Sequence, residues 1–144
     1  MNDYIKSDLM RYYGKYNKRT FIMAILKNST FRFQFVLRMC QSSGINKFIG
    51  LILWKINKSK KEIRISRKTK IGYGLYIGHG GPIVVNPTTI IGNNVNLSQF
   101  TTIGSNEGKA ATIGDNVYIG PNVCIVEDVI IRKQCNNRSR KCCY

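Results

Sequence analysis

The chain has 144 residues, 43% of them apolar and 21% charged, a composition that suits one globular domain with a modest core and excludes a disordered chain. No apolar run approaches the roughly 18 residues of a membrane span, and the polar start MNDYIKSDLMRYYGKY lacks a leader's apolar stretch, which argues against an integral membrane protein, a secreted disulfide scaffold and a multidomain enzyme. The net charge of +16 suggests nucleic acid until it is divided along the chain: residues 1–70 carry 17 Lys and Arg against 3 Asp and Glu, residues 71–131 carry 1 against 4, and residues 132–144 carry 5 against none.

Residues 3–57 hold no proline and carry the apolar clusters FIMAIL, FRFQFVLRMC and INKFIGLILWKI. They predict helix, with a break at Ser42-Ser43-Gly44. The basic side chains Arg11, Lys15, Lys18, Arg19, Arg32, Arg38, Lys47 and Lys55 read as the solvated face of a small helical region, residues 1–60, packed on the remainder of the chain. A second reading lays this basic surface on an anionic membrane. No nucleic-acid-reading motif accompanies the charge, so nucleic acid is not expected as a partner.

Residues 61–131 have a period of six. Apolar residues recur at Ile65, Ile71, Ile77 and Ile83, slip by two, resume at Ile91, Leu97 and Ile103, and after a ten-residue step return at Ile113, Ile119, Ile125 and Ile131. Glycine often follows, and Thr69, Val95, Thr101, Val117, Val123 and Val129 stand four residues on. Six is neither the helix period of 3.6 nor the strand period of 2. It predicts a short strand and a turn, repeated, with three such faces closing one triangular coil around a stacked apolar column. The breaks near Gly80–Asn86 and at Ser105–Thr112 predict loops thrown outward from corners. Asn93, Asn94, Asn116 and Asn122 read as corner residues without chemistry, and Pro82, Asn86 and Pro87 as shaping the first loop.

The segments IGYGLYIGHG, IIGNNVNLSQFTTIG and ATIGDNVYIGPNVCIVEDV resemble the hexapeptide-repeat acyltransferases, in particular the serine acetyltransferases and their relatives in surface-polysaccharide clusters. The resemblance implies a mainly β fold, a left-handed parallel β-helix of about three coils behind the helical region. It implies acetyl-CoA as co-substrate, a small-molecule acceptor hydroxyl, no metal, and a homotrimer whose loops border sites between neighbouring subunits. His79, the sole histidine, falls where the family has its catalytic base. Gly80 and Gly81 allow close approach of substrate, with Lys109 and Glu62 as further substrate-side candidates. Gly104, Ser105, Ala111 and Gly120 are candidates for holding acetyl-CoA, and Lys109 also suits its phosphates. Three departures from the serine enzymes stand out. Gly78 and Arg64 occupy positions of family aspartates, leaving Glu62 as substitute orienter of the imidazole, and Lys109-Ala110 replaces an Arg-His pair that helps hold the serine carboxylate. These favour a sugar hydroxyl, while the overall similarity favours L-serine. A zinc-dependent hydratase on the same fold needs three histidines and is excluded by one.

The tail, residues 132–144, obeys none of this. A choice of synonymous codons exists for which loss of one base after Ile131 rereads it as GNNVTIGAGSVV, two further hexads, so a frameshift is expected there. A truncated, inactive or non-catalytic β-helix protein is the alternative function. Cys40 and Cys124 sit in apolar surroundings; Cys135, Cys142 and Cys143 crowd the tail. Cysteines in no framework fit a reducing cytoplasm.

Overall fold

The computed structural model describes residues 2–56 and 62–132. The tail expectation falls on residues 133–144, outside that range. Four helices come first: α1 (Asp3–Tyr13), α2 (Lys18–Lys27), α3 (Ser29–Gln41) and α4 (Gly44–Ile56). The break between α3 and α4 is the one the sequence predicted. The other two are made by asparagine. The side chains of Asn2, Asn17 and Asn28 accept hydrogen bonds from the amides of Tyr4, Thr20 and Phe31, satisfying donors that a helix start leaves free. Gly14 ends α1 at φ +65°, in the left-handed region.

Eleven short strands follow: β1 (Ile63–Ile65), β2 (Lys70–Ile71), β3 (Tyr76–Ile77), β4 (Ile83–Val85), β5 (Ile90–Ile91), β6 (Asn96–Leu97), β7 (Thr102–Gly104), β8 (Thr112–Ile113), β9 (Tyr118–Ile119), β10 (Cys124–Val126) and β11 (Ile130–Ile131). Every third strand pairs in parallel. The first face is β1-β4-β7-β10, the second β2-β5-β8-β11 and the third β3-β6-β9. This is a parallel β-solenoid of about three coils. Its core stacks Ile65, Val85, Ile103 and Ile125 on the first face, Ile71, Ile91, Ile113 and Ile131 on the second, and Ile77, Leu97 and Ile119 on the third, all buried.

The column corrects the sequence reading at one place. Val85, not Ile83, stands over Ile65, and Ile83 pairs with Ile63. The two extra residues therefore lie between Ile77 and Val85, at the His79 loop itself. Asn86 and Pro87 belong to the next corner, where the Asn86 side chain accepts from the Thr88 amide. Cys124 faces outward and is exposed, whereas Cys40 is buried and burial pushes its thiol above the ordinary value.

A solenoid's first coil exposes a ring of unpaired backbone groups and an open apolar end. Here the helices cover the open end and bind the backbone of the second and third faces. Leu37 of α3 enters the solenoid core. Arg38 donates to the carbonyls of Ile71 (2.9 Å) and Gly72 (2.6 Å). Gln34 donates to the Leu75 carbonyl (2.8 Å) and Gln41 to that of Thr69 (2.8 Å). From α1, Asp8 accepts from the Leu75 amide (2.9 Å), Ser7 from the Gly74 amide (3.0 Å), and the Tyr12 hydroxyl from the Ile77 amide (3.0 Å). Burial pushes the Tyr12 phenol well above its ordinary value. Asp8 and Arg38 hold each other in a two-pronged pair, Nε to Oδ2 at 2.8 Å and Nη2 to Oδ1 at 3.1 Å. Arg38 is only 2% exposed. Its assignment to a solvated face is therefore overturned: an arginine on the apolar side of α3 has polar partners waiting for it, namely the coil's free carbonyls.

A buried charge left without its partner is costly. Asp8→Ala or Arg38→Ala alone should each lower unfolding stability by about 3–5 kcal/mol. Their double mutant should lose much less than the sum, as read from urea denaturation of the four proteins. Single losses below about 1 kcal/mol would show that the cap is not held by this pair.

Candidate active site

The solenoid has three corners, and the sequence candidates fall on two of them. Between the third and first faces lies the His79 corner. Its first level is the loop Gly78–Pro82, its second Ser98–Thr101, and its third Gly120–Val123. Backbone bonds fix the stacking: the Gly78 amide donates to the Leu97 carbonyl (2.9 Å), Phe100 to Pro82 (2.6 Å) and Asn122 to Gln99 (3.2 Å). His79 is exposed at the loop's tip. Gly81 sits behind it at φ +151°, against Gln99, where an added Cβ would lie 2.9 Å from the Gln99 Cβ. Gly80 faces open space. Glu62 enters the same corner from below, its carbonyl accepting from the Ile83 amide (2.9 Å). Neither a hydrogen bond nor an ion pair joins its carboxylate to His79 among the described residues. Gly120 is buried one level above Ser98.

The other candidates line the corner between the first and second faces, where the coil carries four extra residues. Gly104, Ser105, Lys109 and Ala111 follow one another through this loop. Ser105 donates to the Gly108 carbonyl (2.6 Å) and the Thr88 hydroxyl accepts from the Ala110 amide (2.9 Å). The Glu127 carboxylate, one coil on, accepts from the amides of Asn106 (2.7 Å) and Glu107 (2.9 Å), which hold its pKa below the ordinary glutamate value. Lys109 projects into solvent. Gly104 and Ser105 also border a groove of about 770 Å³ floored by Phe33 and Trp54. His79 does not line it. The two corners stand one strand apart, roughly 15 Å at about 3.3 Å per residue. A single chain thus brings together His79, Gly80, Gly81, Glu62 and Gly120, and separately Gly104, Ser105, Lys109 and Ala111.

Two further residues at the His79 corner carry no obvious sequence motif. The Gln99 side-chain oxygen is buried without a hydrogen-bond partner. Phe100 is 52% exposed and sits at φ +59°. That left-handed position is the fourth of the hexad. Gly74, Asn94, Asn116 and Asn122 occupy it elsewhere, as turn chemistry favours. A phenylalanine there costs on the order of 1–3 kcal/mol. Aligning the hexads would have singled it out.

No protein-family model matches the chain. Serine acetyltransferase from Helicobacter pylori is 33% identical over 94 residues, which cover 58% of this chain and 55% of that protein. The mitochondrial serine acetyltransferase 3 of Arabidopsis thaliana is 35% identical over 66 residues, 43% of this chain and 17% of that one. The chain thus spans about half, or less, of these curated relatives. Among solved structures, serine acetyltransferase isoform 3 from Entamoeba histolytica in complex with cysteine superposes with TM-score 0.69 at 24% identity, over 88% of this chain and 48% of that chain. The Neisseria gonorrhoeae enzyme in complex with serine gives 0.66 at 21% over 89% and 63%. The Brucella abortus enzyme in complex with coenzyme A gives 0.65 at 20% over 88% and 54%. The fold is therefore the hexapeptide-repeat solenoid of the serine acetyltransferases, and proteins of that name are this chain's relatives in sequence.

Two substitutions separate the loop's essential geometry from its spare space. Gly81→Ala should cost about 1–3 kcal/mol from its backbone angle and the Gln99 contact, whereas Gly80→Ala should stay within roughly 0.5 kcal/mol; equal effects in thermal unfolding would contradict this. At the other corner, Glu127 has a depressed pKa, so its grip on the loop is complete above the ordinary glutamate value and lost as pH falls through the lower, folded value. Amide exchange should show the Asn106 and Glu107 protection of the native chain fading over that acid range, and missing at every pH in Glu127→Ala.

Proposed function

We propose that the chain serves acetyl-CoA-dependent O-acetyl transfer of the serine acetyltransferase type, with L-serine or a sugar of a surface polysaccharide as acceptor. The observation that carries this is an exposed His79 on a loop inserted at a solenoid corner, in a chain related to serine acetyltransferases. The imidazole takes the proton of the acceptor hydroxyl as that oxygen attacks the thioester carbonyl. The tetrahedral intermediate then expels the CoA thiolate, which recovers the proton from the imidazolium, leaving an acetyl ester and free CoA. Gly80 and Gly81 give the acceptor close access, and Glu62 at the same corner orients the imidazole through water or a modest side-chain swing. Backbone at Gly104, Ser105 and Ala111, with Gly120 at the next level, holds acetyl-CoA, and Lys109 meets its phosphates or an acceptor charge.

A homotrimer is what the resemblance to the hexapeptide-repeat acyltransferases implies, and the spacing of the two corners is compatible with it. The His79 corner of one copy needs the 104–111 corner of a neighbour to complete the site. The reaction takes place in the cytoplasm, where acetyl-CoA is made and no disulfide is required. Among the described residues no helix is long and apolar enough to cross a membrane.

The helical region adds a partner, an anionic membrane surface. Gly50 presses α4 onto α3, and the opposite side of α4 exposes Ile45, Phe48, Ile49, Ile52 and Ile56, within an arc of about 100°. Between Gly14 and Ile56 the chain has seven exposed Lys and Arg and no acidic residue, Arg38 being buried. That charge suits anionic lipid and opposes self-pairing of the same face. Sedimentation with vesicles of one quarter phosphatidylglycerol should carry the protein down, and neutral vesicles or Phe48→Asp with Ile52→Asp should not; equal sedimentation with both lipids would overturn this contact.

The chemistry is tested by thiol release from acetyl-CoA in the presence of serine or hexose acceptors. His79→Ala should lower acceptor-dependent release by about 10²–10⁴-fold. Undiminished transfer in that variant would refute His79 as base.

A further inference from the structure

Phe100 is the residue the proposed chemistry does not use. Its amide binds the Pro82 carbonyl at 2.6 Å, so it lies one coil directly beside the loop that carries His79. It is half exposed, and its backbone is held at φ +59° where other corners of the solenoid place glycine, asparagine or aspartate. Strain of this kind at an exposed aromatic, next to a candidate reacting group, points to a function for the ring rather than for the fold.

The surroundings define what the ring can bind. The three levels of the corner, residues 78–82, 98–101 and 120–123, contain no Lys, Arg, Asp or Glu, Glu62 lying below them, and from Lys70 to Lys109 the chain has no Lys or Arg between. An amino-acid carboxylate finds no cation among these residues, and the Arg11 guanidinium beside them is already bonded to Asn96 on the third face. A neutral hexose offers what the corner suits: a flat face of C–H groups for an aromatic ring, with hydroxyls around its rim. Gln99, whose Cβ lies against Gly81 and whose side-chain oxygen is buried without a partner, stands beside Phe100 beneath this surface.

We propose that Phe100 is a stacking platform for the sugar ring of the acceptor, holding a pyranose hydroxyl towards His79. This rests on the acetyl-transfer reading, with Lys109 engaged by the CoA phosphates rather than by the acceptor, and names its substrate class, a neutral hexopyranoside in place of L-serine.

The test uses the full chain with methyl α-D-glucopyranoside and methyl α-D-galactopyranoside as probes, L-serine as comparison, and acetyl-CoA as donor. Saturation-transfer NMR reads ring-proton contact without catalysis, and thiol release reads transfer. Phe100→Gly should raise Tm by a few degrees, because strain is relieved, yet abolish saturation of the sugar protons and cut kcat/KM for the sugar by about tenfold or more. Phe100→Trp should keep both. The proposal is overturned if Phe100→Gly binds and acetylates the sugars as well as the native chain. It is equally overturned if L-serine alone is bound and acetylated, or if the variant loses Tm and dissociates in sedimentation, which would make Phe100 a subunit contact. Failure of the general-base reading looks different: sugar contact persists in the native chain and disappears in Phe100→Gly, while His79→Ala transfers acetyl unimpaired.

Discussion

A buried ion pair between Asp8 of α1 and Arg38 of α3 holds the rest of the molecule in place. Neither charge would tolerate burial alone. The Asp8 Oδ1 that accepts from Arg38 Nη2 also accepts from the Leu75 amide, while Nη1 and Nη2 donate to the carbonyls of Ile71 and Gly72. The pair thus supplies donors and acceptors to the raw backbone of the first coil. Tyr4 covers it, with the guanidinium 4.8 Å from the ring centroid, and Tyr4 in turn stacks on Tyr73 of the coil at 4.2 Å. With Leu37 seated in the solenoid core, helix and β-helix share one interior. The first coil is therefore a rigid base, and the His79 loop springs from that coil.

From this base the repeat spaces everything else. A coil of 18 residues returns each side chain to its column, as between Val85 and Ile103 or Ile113 and Ile131. Extra residues have nowhere to go but outward at a corner. Two are added between Ile77 and Val85 and four between Ile103 and Ile113, so the chain departs from its own rule at the His79 loop and at the 105–110 loop. The first departure exposes a histidine one level below Gln99 and Phe100. The second makes a loop braced by Glu127 and Thr88. The interruption of the repeat, rather than the repeat, is what gives this solenoid candidate chemistry.

The period of six made the solenoid legible, since each buried Ile or Val also predicts its neighbours six residues away. His79 was legible because it is the sole imidazole and follows a hexad that overruns. The slip itself was misplaced by one strand turn, because Ile63 and Ile83 are apolar too and form an inward pair that mimics the column. The cap was not legible. Asp8 and Arg38 lie 30 residues apart on separate helices, and an arginine in a basic segment looks like surface until the coil's free carbonyls are seen. Phe100 belongs to no motif, and only its fourth position in the hexad, seen on aligning the repeats, marks it as a turn residue that points outward. The two halves of the proposed site lie on separate loops in the sequence, and the fold keeps them apart within one chain by the width of a face.

That separation leads to the most direct test of the account. Two variants are made, His79→Ala and one with residues 105–110 replaced by a two-residue turn, and each is assayed alone and after mixed refolding for acceptor-dependent CoA release. If the site joins the His79 corner of one copy to the 104–111 corner of another, each variant alone is inactive and the mixture regains activity, because some interfaces unite two intact corners. Inactive mixtures that nevertheless form mixed oligomers would contradict the account, placing both halves of the chemistry within one chain or outside these corners altogether.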